Sequence, residues 1–449
     1  MLDTNTKNLA TVLEARDRLK SAQEKLHICA AFPGDVVEAE GRHCDALSAA
    51  GVDLGPLHGL PIVVKDIIDV AGMPTKAGSA TRPDQPPAKA DATVVAKLRA
   101  AGAVTVGKSH TVEFAFGGWG TNASQGTPRN PWKPDEPHTP GGSSNGTGVA
   151  VGGGFVPAGL GSDTGGSVRI PAAFCGCVGL KTSIGLVSRA GVVPLSDTFD
   201  TVGPLTDTVT RAAEMLAVMQ GEDRADPTTL GVSRSDPLAG LEHGVSGLRL
   251  GRLSNDALEE CRPEVKEAFE TAVGLLTAAG ATVETFDFPK SFAEYQANAT
   301  AIIASDAYAF HADLADSNAA PLNDTTRMRM VVGRDLSAKE RVRAQRARQA
   351  DIAAFLAKMD RLDAIILPTA PITAIPLTEA DENNYEMSLY TRVSNYLELS
   401  ALSLPIGLTA KGLPTSLQIV VRRFDDPLAL RIGRAFERAR GPMPTPPAI

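Results

Sequence analysis

From residue 248 onward, short apolar runs alternate with long stretches of helical periodicity. The runs predict strands at Leu248–Gly251, Thr282–Thr285, Ala364–Leu367 and Leu417–Val421, and the periodic stretches predict helices at 263–279, 292–315, 337–360 and 425–438. Strands separated by helices of this length pair side by side in a sheet that the helices must cover. The expected fold is therefore α/β, with a large mixed, mostly parallel central sheet covered by helices on both faces. Upstream, residues 7–31 have Leu9, Val12, Leu13, Leu19 and Leu26 near helical spacing, Leu60–Val64 reads as a buried strand, and Asp91–Ala101 reads as a helix ending at Gly102. Ala103–Val106 reads as a strand and Thr206–Met219 as a helix. No linker of charged or low-complexity sequence divides the 449 residues, so one domain spanning 1–449 is expected. Within it, 1–50 forms an N-terminal helical segment and roughly 285–360 a helical cap over the active site.

Composition narrows the partners. The net charge is −8, from 44 basic against 52 acidic residues, and no polybasic run is present, which argues against nucleic acid and anionic membrane. No uncharged apolar run approaches the ~20 residues a membrane span needs. Five cysteines, odd in number and irregularly spaced, suit a reducing cytoplasm. Cys175-Gly-Cys177 lacks a second Cys/His pair, so these two read as packing residues.

Residues 141–169 interrupt this pattern with Gly-Gly-Ser143-Ser144-Asn-Gly-Thr-Gly and then Gly-Ser-Asp163-Thr164-Gly165-Gly166-Ser167-Val-Arg169. Cleaving an amide takes a nucleophile, a proton shuttle and a site for the oxyanion. Ser167 follows glycines that let the backbone approach closely and line up N–H groups, which suits a nucleophile beside an oxyanion nest. Lys65 ends the apolar run Pro-Ile-Val-Val, where desolvation favours its neutral, proton-accepting form. Ser143 stands between them as a proton relay. A tight turn at Ser167, a strand-end lysine paired with Asp66 and a helix N-cap at Ser143 are the alternatives that the residues alone leave open.

Two further patterns are rejected on context. Gly102-Ala-Val-Thr-Val-Gly107-Lys108-Ser109 spells a phosphate loop, but it follows a helix and is itself strand-like. Gly142-Ser-Ser144-Asn-Gly146 spells a nucleophile elbow, but Pro-Asp-Glu-Pro-His-Thr-Pro precedes it, and only His243 and His311 follow. His58, in Gly-Pro-Leu-His-Gly, reads as a turn histidine with local hydrogen bonds.

Taken together, these elements resemble the amidase signature family. The two serines are 24 positions apart, and Lys65 lies 78 positions before Ser143, both of which suit that family. The segments at 102–108, Arg129–Trp132, Cys175–Lys181, Asp200–Leu205 and Gly412–Gln418 extend the match. The resemblance implies a Ser–cis-Ser–Lys triad in which Ser167 is the acyl-enzyme nucleophile, Ser143, after a cis peptide, the relay, and Lys65 the general base and then acid. It further implies an oxyanion hole from the N–H groups of Thr164, Gly165, Gly166 and Ser167, with support from Ser144, Asp163 and Arg169. Phe116, Gly117, Gly118, Trp119 and Gly142 are the candidate substrate-binding residues, with loop anchoring as the alternative for the two aromatics.

This chain departs from the family in two places. Asn145 and Thr147 replace small residues in the glycine-serine loop and should stiffen it. Asp207 and Arg211 reverse the family's usual order of charges, an i,i+4 pair of structural meaning only. The implied activity is hydrolysis of an amide C–N bond with release of ammonia or an amine. A carbamate or urea-type hydrolase, and the amidase-like subunit of a glutamine-dependent aminoacyl-tRNA amidotransferase, are the alternatives. The chemistry needs no metal or organic cofactor. The expected partners are a small-molecule amide or carbamate and, at most, a second copy of the chain.

Overall fold

The computed structural model describes residues 7–448; residues 1–6 of the expected N-terminal segment lie outside the described residues. Among the described residues, eleven strands form one sheet: β1 (Cys29–Ala31), β2 (Pro61–Lys65), β3 (Val104–Ser109), β4 (Ala158–Asp163), β5 (Val178–Lys181), β6 (Thr201–Thr206), β7 (Arg249–Leu253), β8 (Thr282–Phe286), β9 (Ala364–Pro368), β10 (Ser400–Leu408) and β11 (Pro414–Val421). Their spatial order is β1-β3-β2-β4-β6-β5-β10-β11-β9-β7-β8. Twelve helices among the described residues flank them: α1 (Lys7–Leu26), α2 (Val36–Ala49), α3 (Thr93–Ala100), α4 (Asn145–Gly152), α5 (Arg169–Cys175), α6 (Val209–Met219), α7 (Pro263–Ala278), α8 (Phe292–Asp316), α9 (Asp324–Asp335), α10 (Ala338–Lys358), α11 (Arg392–Tyr396) and α12 (Asp426–Arg440).

Alternation along β2 shows that both faces of the sheet are covered. Val63 packs into a cluster with Val12 of α1, Val149 of α4 and Ala172 of α5. Its neighbours Ile62 and Val64 point the other way and join Val94 of α3, Ala212 of α6, Phe269 of α7 and Leu430 of α12. The predicted helix at 7–31 stops at Leu26. There Gln23 binds both the N–H and the C=O of Cys29 at 2.8 Å and turns the chain into β1.

The sheet is mixed, as expected, but it is not mostly parallel. Six of its ten neighbouring pairs are antiparallel. The expectation failed at β4, β5, β6 and β10, which carry Gly or Pro in place of a run of β-branched residues and are poorly visible to pattern reading. The glycines of β4, β5 and β6 are required by close packing. A Cβ on Gly203 would lie 1.9 Å from the Leu180 carbonyl oxygen, and one on Gly161 would lie 2.7 Å from Ser144 Oγ.

Candidate active site

The site lies at the carboxyl ends of the parallel strands β2 and β4, where open α/β sheets place their ligands. Val64 pairs with Leu160 in parallel register, so the next residues, Lys65 and then Ser162, emerge at the same end. Lys65 is fully buried, with Nζ 2.7 Å from Ser143 Oγ and 2.9 Å from Ser162 Oγ. Burial pulls the Lys65 amine down to about 7, against the opposing pull of the Asp163 and Asp200 carboxylates. An amine with that affinity for protons is poised between base and acid near neutral pH.

Ser143 sits at the end of the long loop, just before α4, and its peptide bond to Gly142 is cis. Its carbonyl accepts from Val112 N and Thr111 Oγ1. Ser144 holds three segments together. Its N–H donates to the Ser167 carbonyl at 3.2 Å, its hydroxyl donates to the Ser162 carbonyl, and the same oxygen accepts from Ser162 N. The two unusual loop residues are also bonded. Asn145 Nδ2 donates to the Gly120 carbonyl, and the Thr147 hydroxyl pairs with Ser109 and donates to the Leu160 carbonyl.

Ser167 is 8% exposed and opens onto a cavity, and its hydroxyl bonds to no group among the described residues. The turn that presents it is organised by Asp163. One carboxylate oxygen accepts from Gly166 N at 2.8 Å and the other from Val168 N at 3.1 Å. Arg169 grips both oxygens through Nη2 and Nε and reaches Asn395, Gln418 and the Thr391 carbonyl. Burial alone would raise the Asp163 carboxyl, but the Arg169 charge and hydrogen bonds hold it well below the usual carboxylate range.

This arrangement corrects one expectation about the oxyanion hole. The Gly166 N–H is committed to Asp163, whereas no acceptor among the described residues takes the amides of Thr164, Gly165 or Ser167. Three amides are therefore free, and Gly166 shapes the turn. Its φ is +130°, and a Cβ there would lie 2.2 Å from Thr391 Oγ1. Gly166→Ala should lower kcat by at least ~10²-fold, the scale of a lost oxyanion donor. Steady-state ammonia release within threefold of wild type would contradict this.

The cavity beside Ser167 holds ≈ 50 Å³ and is lined by Phe116, Gly117, Gly118, Gly165, Arg329 and Arg392, among others. A larger cavity of ≈ 450 Å³ adjoins it across Ala115, Thr164 and Leu195. Trp119 and Gly142 do not line the smaller cavity, contrary to expectation. Trp119 is 1% exposed, and its Nε1 donates to the Asp381 and Asn384 carbonyls, which makes it a loop anchor. Gly142 is packed into the Gly117–Gly120 backbone, and its N–H donates to the Gly118 carbonyl.

Sequence reasoning missed Ser162, Arg329, Tyr385 and Arg392. Ser162 was within reach, since a parallel β2/β4 pair puts it beside Lys65. Arg329, Tyr385 and Arg392 arrive on α9, the 376–391 segment and α11, and no local pattern marks them. Two rejected motifs stay rejected. Lys108 of the phosphate-loop lookalike is buried in β3, paired with Asp66 at 3.2 Å and bonded to Thr75 and the Ile68 carbonyl. His311, downstream of the elbow lookalike, bonds the Pro194 carbonyl. His58 makes the local bonds expected of a turn histidine, to Leu54 N and the Cys44 carbonyl. Cys175 and Cys177 are free and buried, and burial raises both thiols. Asp207 and Arg211 pair at 2.7 Å on a partly exposed helix start, where such a pair contributes ~0.3–0.5 kcal/mol.

The Amidase family model matches residues 10–430. The chain is 36% identical over 433 residues to a glutamyl-tRNA(Gln) amidotransferase subunit from Acidobacterium capsulatum, covering 90% of each chain. Its fold superposes with a TM-score of 0.90 on a chain of an inhibitor-bound vestigial complex that bears on the origins of an s-triazine catabolic enzyme, at 30% identity over 96% of this chain and 95% of that one. It superposes with a TM-score of 0.85 on the peptide amidase of Stenotrophomonas maltophilia, at 28% identity over 99% and 95% of the two chains. Of the activities the sequence left open, the amidotransferase subunit is better backed by the curated relatives than a stand-alone amidase. The chain belongs to the amidase family, whose members act on amide C–N bonds.

Proposed function

We propose that this protein splits a carboxamide at Ser167 and releases ammonia, as the amide-cleaving subunit of an amidotransferase-like assembly with glutamine as the amide donor. The observation that carries the chemistry is the buried Lys65–Ser143 contact of 2.7 Å, with the amine held near neutrality. In this reading neutral Lys65 donates one N–H to Ser162 Oγ and turns its lone pair to the Ser143 hydroxyl. Ser143 passes its proton to Lys65 and takes the proton of Ser167, whose Oγ attacks the amide carbon. The resulting oxyanion is held by the free amides of Thr164, Gly165 and Ser167. On collapse the Lys65 proton returns through Ser143 to the leaving nitrogen, and ammonia departs from an acyl-Ser167 ester. Water, deprotonated along the same relay, then hydrolyses the ester to a carboxylate.

Similarity to glutamyl-tRNA(Gln) amidotransferase subunits, including 36% identity over 90% of the chain, supports the partner-dependent reading. A stand-alone urea-type or carbamate hydrolase is the second reading, supported by the 0.90 TM-score to the chain associated with an s-triazine catabolic enzyme. Ammonia release is to be assayed with the purified chain alone and with amidotransferase partner subunits. Glutamine, simple amides and ureas are the substrates. Glutamine hydrolysis that depends on the partners is the expected result. Turnover of ureas or carbamates by the chain alone would favour the second reading, and no release from any substrate would remove the chemistry.

A further inference from the structure

Strand register brings Thr164 and Asp200 together. β4 and β6 pair antiparallel with Asp163 opposite Thr201, so Thr164, one residue past the end of β4, meets Asp200, one residue before β6. There the Thr164 hydroxyl donates to Asp200 Oδ1 at 2.5 Å. The other carboxylate oxygen accepts from Leu195 N at 2.8 Å and Ser196 N at 2.9 Å. All three partners donate, which suits an ionised carboxylate. Burial raises the Asp200 carboxyl from its ordinary value, and the Thr164 hydroxyl, the two amides and Arg189 oppose that rise. Arg189 is itself engaged by Asp226 at 3.3 Å, and no cation among the described residues lies within ion-pair distance of Asp200. A neutral amide of the same shape would cost less to hold here.

Asp200 is also braced from outside. Asp306 of α8 accepts from the Ser196 hydroxyl at 2.6 Å and from Thr198 N at 3.2 Å. Arg341 of α10 donates to Asp306 at 2.7 Å and to the Thr198 hydroxyl at 3.2 Å. His311 of α8 bonds the Pro194 carbonyl at 2.8 Å. Two helices thus fix the 194–198 segment, and that segment's amides fix the Asp200 carboxylate.

Two consequences reach the reacting groups. The Thr164 amide is one of the three left free at the nucleophile turn, and an oxyanion donor works only if it is already aimed. Asp163 and Arg169 hold that turn on one side, and the bond from the Thr164 hydroxyl to Asp200 holds it on the other. The second consequence is electrostatic. Against burial, the carboxylates of Asp163 and then Asp200 favour the charged form of the Lys65 amine. Asp163 is neutralised by Arg169 at 2.9 Å, whereas Asp200 keeps its charge and lines the ≈ 450 Å³ cavity together with Ser162, the hydroxyl that Lys65 touches.

We propose that Asp200 is a positioning residue of the reaction: it aims the Thr164 amide at the oxyanion through the Thr164 hydroxyl, and its charge sets how readily Lys65 gives up a proton. The proposal rests on the reading of Ser167 as the acylated nucleophile.

The test measures ammonia release from glutamine with partner subunits present, each variant being checked by thermal unfolding. Asp200→Ala and Thr164→Val should each lower kcat by ~10²-fold, the scale of a lost oxyanion donor. KM should stay within about threefold, because the donor acts in the transition state. Thr164→Ser, which keeps the hydroxyl, should restore kcat. The double variant should lose no more than about threefold beyond either single one, since both break one bond. Asp200→Asn keeps the shape, and the Thr164 hydroxyl can turn to accept from it. The lost charge should then move the acid-side midpoint from about 7 to lower pH, a displacement that a purely structural residue would not cause. Asp306→Ala should lower kcat by about tenfold, the scale of one lost hydrogen bond, and leave that midpoint in place. A second readout needs no turnover: the rate at which an alkyl fluorophosphonate labels Ser167, followed by intact mass, should fall in Asp200→Ala as kcat does. Independent, multiplying losses in the double variant, an unmoved midpoint in Asp200→Asn, or equal labelling of wild type and Asp200→Ala overturns the positioning role and leaves amide cleavage standing. A wild type that neither releases ammonia nor is labelled at Ser167 overturns the catalytic reading, and the positioning role with it.

Discussion

Ser167→Ala should abolish ammonia release, by at least ~10³-fold, while leaving the fold intact. The loss is large because the nucleophile and its relay act as one unit, so removing the attacking atom forfeits the contribution of the whole triad. The fold should survive because the Ser167 hydroxyl faces the cavity and bonds to no protein group among the described residues. The backbone bond from Ser144 N to the Ser167 carbonyl does not depend on the side chain. Thermal unfolding should agree with wild type to within ~0.5 kcal/mol, as for other substitutions that break no buried contact. Retention of more than a tenth of wild-type turnover by a correctly folded variant would move the nucleophile elsewhere, with Ser143 the next candidate.

Lys65→Met should have the second largest effect, and it should move activity and stability in opposite directions. Activity should fall by ~10³-fold or more, because among the described residues no other base touches Ser143 Oγ. In wild type the working form is the neutral amine. Since its proton affinity is centred at about 7, turnover should plateau above neutrality and fall tenfold per pH unit below it, to roughly one-hundredth of the plateau at pH 5. A flat profile from pH 5 to 8 would exclude Lys65 as the base.

The stability effect follows from the same shift. The ordinary lysine value is 10.5, so between about 7 and 10.5 the unfolded chain carries a proton that the folded chain lacks. Wild-type stability therefore rises with pH across that window, and the full cost of burying the amine is present at and below its lower edge. Methionine removes a cost of roughly 3–5 kcal/mol there. It also loses two hydrogen bonds, to Ser143 and Ser162, each worth ~1 kcal/mol. The variant should unfold at a higher temperature than wild type at pH 7, with the gain vanishing above pH 10.5. A lower melting temperature at pH 7 would show that the lysine is a structural tie more than a stored cost.

Much of the site was legible before the structure because its chemistry lies in local patterns. A lysine closing a buried apolar run and two serines behind glycine pairs each announce both a backbone conformation and a reactive group. The aromatic residues of the long loop misled because a tryptophan in a glycine-rich loop has the same local signature whether it lines a cavity or anchors a turn. Trp119 anchors one, through two carbonyls more than 260 positions away. The sheet was misjudged for a related reason. Glycine at 159, 161, 179 and 203 hides three central strands from any propensity argument, yet those glycines are what allow neighbouring segments to pack against the backbone.

The sequence by itself determined the α/β layering and singled out Lys65, Ser143 and Ser167 as candidates, each within a short local pattern of its own. Only the tertiary structure decided which groups at that turn are free to act. It committed the Gly166 amide to Asp163 and left three other amides open. It neutralised Arg329 with Glu382 and tied Thr164 to Asp200. The reason is physical: hydrogen-bond partners and counter-ions are allotted by the folded backbone, between residues 3 positions apart at Gly166 and Asp163, 53 apart at Arg329 and Glu382 and 249 apart at Arg169 and Gln418, and no local pattern shows which groups that allotment leaves unpaired.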